Sequence, residues 1–185
     1  MPESEKAPSS LPHLHGERIH LRAVEEDDLA LAHHWTNDPA MVGEYDVARV
    51  VSLDDVRRRY RERPALTAEG GALLIVRNDG AAVGLVSCHR VAYGVYSHAF
   101  NIGIEIEPAE RGQGFGSAAQ RLFADYLLFT FPIGRVEAST DIENIPEQRA
   151  LERAGFTREG VARSASWRGG RWHDMVVYSR VRGDE

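Results

Sequence analysis

Gly112, Gly114 and Gly116 stand in the run Ile104-Glu105-Ile106-Glu107-Pro108-Ala109-Glu110-Arg111-Gly112-Gln113-Gly114-Phe115-Gly116-Ser117, directly after Arg111. Glycine lacks a Cβ, so its backbone can come close to a ligand. Apolar residues at helical spacing begin at Phe115 and continue through Ala118, Ala119, Leu122, Phe123, Tyr126 and Leu127. The loop therefore opens onto a helix N-terminus, with its unpaired N–H groups and positive dipole end. That combination holds phosphate oxygens, and the forked guanidinium of Arg111 adds a charged donor at the edge. A dinucleotide loop wants G-x-G-x-x-G, and here Ser117 stands where the last glycine belongs. A P-loop wants a lysine after its final glycine, and none follows.

Other reactive side chains point to less. Cys88 sits in a strand pattern with nothing nearby to activate it, so it reads as core packing. His13-x-His15 and His33-His34 lack cysteine or carboxylate partners at ligand spacing, which predicts no metal site.

Composition bounds the rest. The chain has 185 residues, the length of one domain with a tail. Lys plus Arg is 22 and Asp plus Glu is 28, so the net charge is 22 − 28 = −6. An acidic balance argues against a protein that grips DNA or an anionic membrane. One cysteine forbids an intrachain disulfide and fits a reducing cytoplasm. No apolar run is long enough to span a bilayer, and the N-terminus lacks a secretory pattern.

The elements that must position the loop are legible in order. Residues 1–16 are polar and rich in Pro and Ser, which predicts a flexible tail. Glu17 to Ala23 alternates as a strand. Glu25-Glu26-Asp27-Asp28 loads negative charge on a helix start, and Asn37-Asp38-Pro39 ends that helix. Ser52 caps a second helix over Leu53–Arg63. Two strands flank Asp79-Gly80, a hairpin turn. Ala99 to Glu107 alternates, with Ile102, Ile104 and Ile106 on one face and Gly103, Glu105 and Glu107 on the other. After the long helix come a strand over Val136–Thr140, a helix from Asn144 to Ala154 capped by Gly155, and strands over Phe156–Ala162 and Met175–Val181. The order is β-αα-β-β-β-α-β-α-β-β, an α+β (mixed α/β) domain over residues 17–185.

Arg111-x-x-Gly114-x-Gly116 after I-x-I-x-P resembles the pyrophosphate loop and preceding strand of the GNAT superfamily of N-acyltransferases. Asn144-Ile145-Pro146-Glu147-Gln148-Arg149-Ala150-Leu151-Glu152-Arg153-Ala154-Gly155-Phe156 resembles that family's E-N-x-x-S-x-R-x-L-E-K-x-G-F segment. Leu21-Arg22 with Glu25-Glu26-Asp27, and Gly170 to Tyr178, resemble the opening and closing of the branch that acetylates N-terminal residues of ribosomal proteins. The resemblance spans nearly the whole domain. It implies a central mixed, mostly antiparallel sheet, splayed in the middle and flanked by helices. It implies direct attack of an amine on a pantetheine thioester, with acetyl-CoA or another acyl-CoA as co-substrate and no metal.

Carried over by position, Ile104 and Ile106 give backbone contacts to the pantetheine arm. Gly112, Gln113, Gly114, Gly116 and Ser117 cradle the pyrophosphate, flanked by Arg111. Asn144 bonds the pantetheine region or caps its helix, as Asn144-x-x-Glu147 is also a capping-box pattern. Arg149 reaches the phosphates or is a solvated helix charge. Glu105 is the catalytic base or an ordinary strand carboxylate, with His89 and His98 as rivals. Trp35, Tyr45, Trp167 and Asp174 wall the acceptor side. The acceptor is a small-molecule amine or a protein N-terminus. An acyl carrier protein is an alternative donor, since it bears the same pantetheine thioester. Arg57, Arg58, Arg59, Arg61 and Arg63 make a cationic helix face, which serves solubility or docks an acidic partner such as ribosomal RNA or a carrier protein. A homodimer is compatible with the family. The chain departs where Glu147 replaces the serine that protonates the leaving thiolate in relatives. Tyr93, Tyr96, Tyr126 and Tyr178 are substitutes by chemistry alone. Two rivals stay open: an acyl-CoA-binding module without catalysis, and a dinucleotide-binding domain.

Overall fold

The computed structural model describes residues 14–47, 49–62 and 66–184. The first strand, β1 (Ile19–Ala23), is followed by a single 3-10 turn over Glu26–Asp28 and by α1 (Leu29–Asn37), α2 (Pro39–Val42) and α3 (Leu53–Glu62). Then come β2 (Gly70–Arg77), β3 (Ala82–Ala92), β4 (His98–Ile106), α4 (Phe115–Thr130), β5 (Arg135–Asp141), α5 (Ile145–Arg153), β6 (Thr157–Arg168) and β7 (Arg171–Val181). The short α2 is an addition to the expected order. Pro39 ends one helix and, at a helix start where its missing N–H costs nothing, begins the next, with the Asp38 carboxylate accepting from Ala40 N.

The predicted flexible tail through Gly16 needs a correction at its end. Residues 1–13 lie outside the described residues. Leu14, however, packs on the main core, and its carbonyl accepts from Leu21 N at 2.7 Å, while Gly16 N donates to Ile19 O at 2.8 Å. Three residues assigned to the tail therefore belong to the domain. The expected end of the second helix at Arg63 also falls outside the described residues, and the helix is described to Glu62.

Seven strands form one sheet in the order β1-β2-β3-β4-β5-β7-β6. Alternation along the strands sends side chains to two different layers. Leu73 and Ile75 of β2, Phe100 and Ile102 of β4 and Val136 and Ala138 of β5 pack with Phe115, Phe123 and Leu127 of α4 and Leu151 of α5. Leu74 and Val76 turn to the other face, against Trp35 and Met41. Burying side chains of this size contributes roughly 1.5–3 kcal/mol each. No described helix is long and apolar enough to cross a membrane.

The seam between β4 and β5 is the one parallel junction among the described residues, and it pairs only Phe100 with Val136, Asn101 with Glu137 and Ile102 with Ala138. Beyond it each strand keeps its outer partner. β4 stays paired to β3 through Ile106, and β5 stays paired to β7 through Asp141. The two half-sheets thus remain hydrogen-bonded while the seam opens into a V.

Candidate functional site

The V has a polar backbone edge. Glu107 N donates to Val83 O of β3 at 2.9 Å. Backbone groups alternate direction along a strand, so the N–H and C=O of Ile104 and Ile106 point the other way, into the V. The Ile106 carbonyl does so observably, since it accepts from Arg111 Nε at 2.9 Å. Ile104 and Ile106 side chains meanwhile pack beside the core, and a Cβ on Gly116 would lie 3.8 Å from each. Their backbones serve the opening and their side chains serve the core.

At the wide end of the V lies the glycine loop. Gly112 has φ 76° and Gly114 has φ 86°, the left-handed region that disfavours side chains. A Cβ at either position would meet nothing within 4 Å, so the space in front of the loop is open. Gly114 is the N-cap of α4 and supplies no side-chain acceptor, which leaves the first N–H groups of the helix free for an anion. Ser117 Oγ donates to Gly114 O at 3.0 Å. Gln113 donates to Glu110 Oε2 at 3.0 Å, so its side chain braces the loop. Gly114→Ala is expected to weaken acyl-CoA binding about tenfold, since the residue must leave the left-handed region or fill the cradle. Calorimetric titration with CoA checks this.

Two arginines serve this region, one unexpectedly. Arg111 spans β4 and α2, with Nη2 donating to Ala40 O at 2.9 Å and Met41 O at 2.6 Å besides its bond to Ile106. Its role in the structure is to tie backbone segments rather than to aim at the cradle. Arg18, absent from the sequence reading, donates to Gln113 O at 2.7 Å and stacks over Phe115 at 4.6 Å. It reaches the loop from 95 residues away, so no local motif marks it.

On the opposite face of the sheet from α4, Glu105 occupies its expected place, in register with Leu85. Burial raises its carboxyl pKa above the usual carboxylate range. Asp46 pushes in the same direction, and Arg49 opposes it. Beside this carboxylate, Ser87 of β3, Gly103 of β4 and Ser139 of β5 are exposed although they lie on inner strands. No described helix covers this stretch, and among the described residues it forms an open trough across the sheet. Small polar residues at central-strand positions were the signal for it.

One side of the trough is held by Arg168. Its guanidinium donates to Tyr45 O and to Asp141 Oδ2, both at 2.8 Å, and lies 3.1 Å from His173 Nδ1. Burial alone would raise the Asp141 pKa, yet the Glu143 N–H, Arg168 and His173 together hold it below the usual range. Asp141, Glu143 and His173 also lie close enough to share a cation. Arg168 already places a positive charge on Asp141, which disfavours one.

The predicted acceptor walls sort unevenly. Tyr45 is half-buried, its ring 5.7 Å from the Arg168 guanidinium, and Trp167 is 55% exposed in an edge-to-face pair with Trp172. Tyr45 lies on the trough side; Trp167 pairs with Trp172 on the face of the β6–β7 hairpin opposite His173. Trp35 does not line the trough, because the period of α1 puts it on the inner stripe with Leu29 and Ala32, 1% exposed. Asp174 accepts from the backbone of Ser164, whose φ of 51° marks a bulge in β6, so it braces that bulge.

Asn144 caps α5 by accepting from Glu147 N at 3.3 Å and donates to Thr140 Oγ1 at 3.0 Å. Arg149 is exposed on α5. Cys88 is buried with its thiol pushed up to about 12. Tyr93 and Tyr96 stand at the β3–β4 turn, the far end of β4 from the V. Tyr178 is fully buried. On α3, Arg57 pairs with Asp54 and Glu26, and Arg58 with Asp55, so much of the cationic face is neutralised by its own helix and the preceding turn.

Residues 18–157 match the acetyltransferase (GNAT) domain family. A Bacillus subtilis (strain 168) protein named "Probable N-acetyltransferase YjcK" is 32% identical over 126 residues, 68% of this chain and 69% of that protein. The crystal structure of a Vibrio cholerae spermidine N-acetyltransferase in complex with CoA and spermine superposes with a TM-score of 0.79 at 20% identity, covering 91% of this chain and 98% of the other. RimL, a ribosomal L7/L12 alpha-N-protein acetyltransferase in complex with coenzyme A, superposes with a TM-score of 0.77 at 20% identity, covering 92% and 97%. With its V-shaped seam, glycine loop and matching domain, the chain belongs to the GNAT acetyltransferase family and is an acyl-CoA-dependent N-acetyltransferase.

Proposed function

We propose that the acceptor is a cationic amine, a small molecule or a protein N-terminus, taken up in the trough and acylated at the narrow end of the V. The observation that carries this is Glu105, a half-buried carboxylate on the trough face beside backbone N–H groups directed into the V from the same strand. The acyl-CoA pyrophosphate sits on the α4 N-terminus, and the pantetheine arm runs along the Ile104–Ile106 edge. A strand N–H polarises the thioester carbonyl. Glu105 takes the proton from the attacking amine, directly or through a water. Asp46, Glu44 and Glu143 add negative charge near Tyr45 and Glu105, which favours a cationic acceptor over an acidic one.

Neighbours in fold are named for spermidine and for a ribosomal protein N-terminus, so both are candidate acceptors. Thiol release from acetyl-CoA, measured with polyamines, amino acids and N-terminal peptides, separates them. Saturation by one class at micromolar to millimolar KM identifies the acceptor. No thiol release with any amine, alongside tight CoA binding, would reduce the protein to a binding module. Binding of NAD without CoA would overturn the reading altogether. Acetyl loaded on a carrier protein, offered in place of acetyl-CoA, tests the alternative donor.

A further inference from the structure

The glycine loop is gripped by a side chain from the other end of the domain. Arg18 stands one residue before β1. Its carbonyl accepts from Asn78 N at 3.1 Å, and the Asn78 side chain donates to Glu17 O at 2.7 Å, so the turn between β2 and β3 fixes the base of the arginine. At its far end, Arg18 Nη1 donates to Gln113 O at 2.7 Å, and the guanidinium lies 4.6 Å from the centre of the Phe115 ring. Phe115 is 2% exposed and is the first residue of α4. The arginine thus ties together the β2–β3 turn, the loop and the start of the helix.

The bond to Gln113 sets a direction. A trans peptide is planar, with its C=O and the following N–H on opposite sides. The Gln113–Gly114 peptide is trans. Its oxygen points at Arg18, so the Gly114 N–H points the opposite way. Among the described residues nothing accepts from that N–H. It lies at the N-cap of α4, beside the unpaired N–H groups of the first helical turn. Glycine tolerates either orientation of this peptide plane, so the loop alone does not choose one. The Gln113 side chain is braced separately. It donates to Glu110 Oε2 at 3.0 Å, and Glu110 pairs with Arg77 of β2 at 2.9 Å. That brace holds the residue, and Arg18 holds the peptide that follows it.

We propose that Arg18 is a positioning residue for the acyl donor: it locks the Gln113–Gly114 peptide with its N–H directed at the acyl-CoA pyrophosphate. This rests on the placement of the pyrophosphate at the α4 N-terminus given above. Arg18 acts through the peptide, which stands between the guanidinium and the phosphate. A cation on the carbonyl polarises the peptide and strengthens its N–H as a hydrogen-bond donor. Fixing the plane before the ligand arrives removes an ordering cost from binding.

The test compares acetyl-CoA with S-acetyl-pantetheine, which carries the same thioester and no phosphate. Arg18→Met keeps an apolar stem over Phe115 and removes the charge and the N–H groups. It is expected to lower kcat/KM for acetyl-CoA about tenfold and to weaken CoA binding in calorimetry by the same factor. Its kcat/KM for S-acetyl-pantetheine should stay within twofold of wild type. Arg18→Lys, which keeps the charge and one N–H for the Gln113 carbonyl, should recover at least threefold of the loss. A merely structural Arg18 would lower the thermal midpoint and impair both acyl donors alike, and that result overturns the proposal. So does Arg18→Met with CoA affinity within twofold of wild type, or Arg18→Lys as weak as Arg18→Met. In each of these cases wild type still binds CoA, and only this proposal fails. If wild type itself binds no CoA, the acyl-transfer reading fails with it.

Discussion

Glu105→Gln is expected to lower kcat by about 10²–10⁴-fold while acyl-CoA affinity stays within twofold of wild type. The substitution keeps size and hydrogen-bonding capacity but removes the proton acceptor. The cofactor cradle should not respond, because it is built from the Ile104 and Ile106 backbones and the glycine loop, whereas the Glu105 side chain projects from the trough face. Glu105 has a raised pKa, from burial first and from Asp46 second. The base works only when ionised, so kcat rises as pH increases through that raised value, above the range of an ordinary carboxylate. Asp46→Asn removes a like charge and should move this rise to lower pH. A pH–rate profile of the three proteins checks both statements. Unchanged kcat in Glu105→Gln would remove it from the mechanism, and an unmoved limb in Asp46→Asn would remove the proposed coupling.

Much of this site was legible because it is local. The glycine cluster, the alternation of β4 and the cap at Asn144 each lie within a few residues of their partners, where spacing alone dictates geometry. The wrong or missing residues are those whose role depends on what folds against them. Trp35 has the chemistry of a pocket wall, but the stripe of α1 that meets the sheet decides its burial. Asp174 is a carboxylate near the acceptor side, yet a bulge in the neighbouring strand claims its oxygen. Arg18 carries no motif at all. Arg111 is in the motif, but its guanidinium is spent on three carbonyls.

Arg168 is the clearest non-local case and carries the largest expected stability effect. Its partner Asp141 has a fully buried side chain, and the Arg168 side chain is 13% exposed. Removing one partner of a buried pair leaves the other charge uncompensated, at a cost of about 3–5 kcal/mol. Arg168→Met keeps much of the stem and should lower the thermal midpoint by roughly 10 °C. The sign of its pH dependence follows from Asp141. In wild type the Asp141 pKa is lowered, so its contribution is full above the ordinary aspartate pKa and is lost as pH falls through its native value. Without Arg168, burial is opposed only by the Glu143 N–H and His173, so that pKa moves up from its wild-type value. The variant then gains less stability from ionising Asp141 than wild type does as pH rises. The gap between wild type and Arg168→Met should therefore be widest near pH 8 and narrow toward pH 4. Asp141→Asn added to Arg168→Met removes the stranded charge and should recover part of the loss. The same variant should raise acceptor KM and leave acyl-CoA affinity alone, because Arg168 ties the Tyr45 segment to the trough and touches nothing near the glycine loop. Equal midpoints for wild type and Arg168→Met across this pH range would show that Asp141 does not depend on the guanidinium.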